Sequence, residues 1–78
     1  MRVTVHYFSV LRERMGQCEQ SIEVEDGRAV GALYLRLFPA DQNGVLPVMF
    51  AVNQEYVDGD HILQDGDEVA FIPPLGGG

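Results

Sequence analysis

Few side chains in these 78 residues have the type and spacing to do chemistry. The two histidines, His6 and His61, have no metal-ligand spacing to any partner, so they read as scattered polar residues. The single cysteine, Cys18, has no histidine close by in sequence to activate it. It alternates in phase with Ile22 and Val24, which predicts a buried, inert thiol. Asp58, Asp60, Asp65 and Asp67 are dense enough to raise a calcium loop. They lack its glycine and its terminal glutamate, and turn chemistry accounts for them. The glycines at 76–78 do not open a helix, so they are no phosphate loop.

One reactive group is left, the terminal carboxyl of Gly78. It stands at the end of IPPLGGG, in which three glycines follow directly on the apolar run ending at Ile72. A glycine end enters a channel too narrow for any side chain and takes whatever backbone angles that channel imposes. Pro73 and Pro74 stiffen the exit toward an extended course. From Pro73 the arm reaches about 20 Å at roughly 3.3–3.6 Å per residue. Such a tether is suited to delivering a carboxylate into another protein's active site, with Pro73, Pro74, Leu75, Gly76 and Gly77 as the segment that threads. Side-chain catalysis has no visible home, and the arm predicts a donor.

The composition fits a partner-dependent protein. Twelve acidic residues against five basic ones give −7, every basic residue is arginine, and lysine is absent. So acidic a chain repels phosphate backbones, which argues against nucleic acid and for a basic protein partner, or simply for solubility. A lone cysteine and no signal-peptide layout predict a cytoplasmic location. No apolar run approaches the roughly 20 residues that cross a bilayer, so no membrane contact is expected.

The elements that must hold this arm are legible from periodicity. RVTVHYF alternates with Val3, Val5 and Tyr7 on one face and Arg2, Thr4, His6 and Phe8 on the other, as a strand does. SVLRERMG predicts a two-turn helix with Ser9 as N-cap and Gly16 as its stop. CEQSIEVE returns to strand periodicity and pairs with the first strand. Val30, Leu33, Tyr34, Leu37 and Phe38 recur at helical spacing until Pro39. ADQNG is a loop, VMFAVN a strand, NQEYV a tight return, and the Asp65-Gly66-Asp67 turn precedes a last strand in which Val69 and Phe71 share a face. The order predicts an α+β domain over 1–72, a small mixed sheet packed on one main helix, with a tail over 73–78.

A sheet that packs one face on a helix should be polar on the other. Here Phe8, Ala70 and Ile72 point away from the core, and Tyr56 adds a ring beside them. Either a partner takes this face, or loops and the short helix cover it.

VHYFSVLRERMG, AVNQEYV and DGDEVAFIPPLGGG, spread over essentially the whole chain, resemble the small subunits of molybdopterin synthase. These are sulfur carriers with the ubiquitin-like β-grasp fold. The resemblance implies that an ATP-dependent enzyme adenylates Gly78 and that sulfur displaces AMP to leave a thiocarboxylate. It implies no permanently bound cofactor. It also implies a large-subunit partner, in a heterotetramer of two small and two large subunits, where sulfur passes to cyclic pyranopterin monophosphate. Phe8, Tyr56 and Ile72 would be the apolar contacts with that partner. Gly76 departs from the family's usual residue before the final Gly-Gly and should loosen the arm slightly. The alternatives are a carrier for thiamine or another thiolation route, a modifier joined to lysines of target proteins, and a plain interaction module with a disordered glycine end.

Overall fold

A computed structural model describes residues 1–39 and 48–73, except for the side chains of Ser9 and Val10. The ADQNG loop and Pro74, Leu75, Gly76, Gly77 and Gly78 lie outside the described residues. The elements run β1 (Arg2–Tyr7), α1 (Ser9–Met15), β2 (Glu19–Glu23), α2 (Val30–Leu37), β3 (Met49–Val52), β4 (Glu55–Val57) and β5 (Glu68–Ile72). The five strands form one sheet in the order β2-β1-β5-β3-β4. Central β1 and β5 are parallel, with Val5 opposite Val69 and Tyr7 opposite Phe71. The outer pairs are antiparallel. A mixed sheet with its two terminal strands side by side and a helix across one face is the ubiquitin-like β-grasp.

Strand alternation sets the core. Val3, Val5 and Tyr7 of β1 and Val69 and Phe71 of β5 are buried beneath Val30, Leu33 and Tyr34 of α2. Phe71 meets Tyr34 edge-on at 5.1 Å between ring centres, and Phe38 closes the same cluster. Burying each such side chain contributes about 1.5–3 kcal/mol. The first N–H groups of α2 need partners outside the helix, because Ala29 at its N-cap supplies none. The carbonyls of His61 and Gly59 accept from Val30 and Gly31 at 2.8 and 2.9 Å.

Three expectations are corrected. The N-cap of α1 is Phe8, without a side-chain cap, and Ser9 is the first helical residue. β1 stays in the ladder as far as Tyr7, so the chain turns into the helix one residue before the serine. Gly16 ends the helix as expected, in the left-handed conformation at φ 74°. Cys18 is exposed, whereas Ile22 and Val24 are buried. It sits in the bend before β2, where its carbonyl still accepts from the Tyr7 N–H at 2.8 Å but its side chain is exposed. NQEYV is more than a return, since Glu55–Val57 forms a strand of its own on β3. Asn53 and Gln54 make the two-residue turn with φ of 52° and 71°.

Candidate functional site

The sheet face opposite α2 is the site of interest, and the register builds it in rows. Partners in register point to one side, so one row runs His6, Ala70, Ala51, Tyr56 across β1, β5, β3 and β4. The next row places Ile72 opposite Met49, and continuation of the β1–β5 register sets Phe8 beside Ile72. Sequence alternation singled out Phe8, Tyr56 and Ile72, and the structure brings them onto one face. Tyr56 is 69% exposed, Met49 54% and Phe8 45%, while Ile72 is half-buried. No described loop or helix covers these rings.

Met49 and Ala51, one in each row, were missed as site residues. The signal was available, because Val48, Phe50 and Val52 facing inward sends Met49 and Ala51 out. Phe8 is informative in another way. Helices favour Ser, Thr, Asp or Asn at the N-cap, and an exposed aromatic there supplies no cap. A local rule broken without structural compensation is the usual sign of a position kept for something else.

Toward β1 and β2 the same face turns charged. His6 Nε2 lies 3.1 Å from Glu68 Oε1, and Nδ1 lies 4.0 Å from Glu19 Oε1. Arg2 pairs with Glu23 and donates to Ser21 Oγ. The outer face is thus apolar over β5-β3-β4 and acidic at its border with β1.

The remaining candidates are structural. Asp67 Oδ1 accepts from Asn53 Nδ2 at 2.9 Å and Oδ2 from the Gln64 backbone at 2.8 Å. Asp65 Oδ1 accepts from the Arg2 backbone, so both aspartates serve the turn, as expected. His61 is exposed, and its carbonyl serves α2. Among the described residues, no group of three or more His, Cys, Asp or Glu is placed to hold a metal. Nor is any helix among them long and apolar enough to cross a membrane. Pro73, the last residue described, is buried, so the body of the domain still holds it. The other tail residues singled out in the sequence lie beyond it.

Sheet order, helix and packing together define a ubiquitin-like β-grasp protein whose outer face exposes Phe8, Met49 and Tyr56. The chain belongs to the ThiS family, whose sequence profile matches residues 5–78. It is 42% identical over 83 aligned residues to the molybdopterin synthase sulfur carrier subunit of Chlamydomonas reinhardtii, with all of both chains covered. The corresponding subunit of Mycobacterium tuberculosis (strain ATCC 25618 / H37Rv) is 38% identical, with 100% of this chain and 99% of the relative covered. Among solved structures, the putative molybdopterin converting factor subunit 1 of Pyrococcus furiosus superposes with a TM-score of 0.80 at 30% identity, covering 96% of this chain and 99% of that one.

Proposed function

We propose that this protein is the sulfur carrier subunit of molybdopterin synthase. The observation that carries the reading is end-to-end similarity, 42% identity with full coverage of both chains, to a protein of that name. The outer face supports it, because the strand that carries Ile72 onto the apolar rows also leads into the glycine arm.

In this reading the chain catalyses nothing alone. A separate enzyme uses ATP to convert the Gly78 carboxylate to an acyl-adenylate with release of pyrophosphate. Sulfur at the sulfide level displaces AMP and leaves the thiocarboxylate. Activation is needed because a carboxylate is a poor acceptor, whereas the acyl-adenylate is a mixed anhydride from which AMP leaves readily. The large subunit then docks on Phe8, Tyr56 and Ile72, in an assembly of two small and two large subunits. From Pro73, which the domain holds, Pro74 to Gly77 thread its active site, where sulfur passes to cyclic pyranopterin monophosphate. The whole cycle takes place in the cytoplasm.

Deleting Gly77 and Gly78 tests this in a reconstituted assay with purified large subunit and pre-sulfurated carrier. The reading expects full-length carrier to support product formation and the shortened chain to support none. Equal product from both would refute it.

A further inference from the structure

We propose that the outer face carries a subsite for one cationic side chain, a lysine or arginine, presented by the large subunit that docks there. This rests on the sulfur-carrier reading and adds a charged anchor to its apolar interface.

The subsite follows from residue sizes along one register row. His6 and Tyr56 stand at the ends, and between them lie Ala70 and Ala51, paired across β5 and β3. Two small residues between large ones leave a depression. Phe8 and Gln54 flank it and Glu68 lies at its rim, enclosing about 250 Å³. That is below the roughly 300–1,000 Å³ of small-molecule pockets, and it suits a single side chain.

Its chemistry selects which side chain. The alanine floor and Phe8, which lines the groove, offer apolar surface to an aliphatic stem. Glu68 and Glu19 share one imidazole, His6, so two carboxylates face a single ring. Among the described residues no donor meets the second carboxylate oxygen of Glu68. Arg2, the basic residue on this face, is already held by Glu23 and Ser21. A chain of net charge −7 also favours approach of a basic surface. Lysine and arginine combine a long apolar stem with a cationic end, as the groove requires.

The test is titration of the full-length chain against purified large subunit at low, intermediate and high salt. Glu68→Gln keeps the shape and removes the charge, and Ala70→Leu fills the floor. Asp60→Asn makes the same charge change at an exposed loop position off this face. Thermal melts run alongside to establish folding. We expect Glu68→Gln to bind about tenfold more weakly, with a flatter salt dependence, as befits loss of one charge-assisted hydrogen bond. Ala70→Leu should weaken binding and Asp60→Asn should not. Ile72→Asp serves as the separate check on docking itself. If Ile72→Asp abolishes binding while Glu68→Gln matches wild type in affinity and salt dependence, the subsite is overturned and the docking face stands. If wild type does not bind, both fall. Self-association of the chain that Glu68→Gln dissolves would assign the groove to a second copy and overturn the proposal.

Discussion

Asn53 and Asp67 tie the β3–β4 turn to the start of β5, with Asn53 Nδ2 donating to Asp67 Oδ1 at 2.9 Å. Asn53 Oδ1 also accepts from the Glu68 backbone at 3.0 Å, so the asparagine serves as both donor and acceptor. Asp67 is buried, and its other oxygen takes the Gln64 N–H. The link positions Gln54 and Glu68 on either side of the groove. Asp67→Ala leaves these donors unpaired and should cost about 1–3 kcal/mol, read as a lower urea midpoint with an unchanged slope.

Gly31 is predicted to resist substitution even though alanine is the better helix former. A Cβ there would sit 3.0 Å from the carbonyl oxygen of Gly59 and 3.1 Å from its Cα. Both atoms are backbone, and the Gly31 N–H to Gly59 hydrogen bond holds them in place. Gly31→Ala should therefore destabilise by about 1–2 kcal/mol, outweighing a helix-propensity gain of about 1 kcal/mol. A calorimetric melt checks the sign.

Tyr7 gives the fold an alkaline limit. Its ring is buried, its hydroxyl donates to Gln20 Oε1 at 3.0 Å, and desolvation pushes the phenol above its usual range. Between the unfolded and folded pKa values the folded state keeps a proton that the unfolded chain has lost. Stability contributed by this group is thus complete below about pH 10 and is lost as pH rises through the folded value. Tyr7→Phe should flatten the decline above pH 10 relative to wild type, at a cost of about 1 kcal/mol at neutral pH. Urea melts across pH 8–11.5 would show it.

Phe8→Ser should separate stability from function. Serine at the N-cap of α1 can accept from a backbone N–H that phenylalanine leaves uncapped, a gain of about 1 kcal/mol. The same change removes an exposed ring from the face proposed to dock the large subunit. The variant is expected to melt higher and bind the large subunit more weakly, measured on one protein preparation.

What could be read in advance follows from where each residue stands. Val3, Val5, Tyr7, Val69 and Phe71 alternate inside paired strands, and all five are buried as their spacing requires. Val30, Leu33 and Tyr34 do the same at helical spacing. Cys18 misled because the backbone bends there, just before β2 begins at Glu19, and its side chain is exposed although its carbonyl still bonds to Tyr7. Glu55–Val57 was missed because three residues carry too little alternation, and tertiary pairing with β3 makes the strand. Phe8, Tyr56 and Ile72 were legible as outward residues. The groove was not, because Ala51 and Ala70 become neighbours only through the β3–β5 register. The Glu68–His6 pair likewise joins chain segments 62 positions apart.

The central claim is that this chain carries sulfur on its C-terminal carboxyl. Intact-mass spectrometry after incubation with ATP, the activating enzyme and a sulfur source tests it most directly. The account predicts exchange of one oxygen for one sulfur, localised to Gly78 by fragmentation and absent when ATP is left out. An unchanged mass, with the same enzyme active on a control carrier, would contradict it.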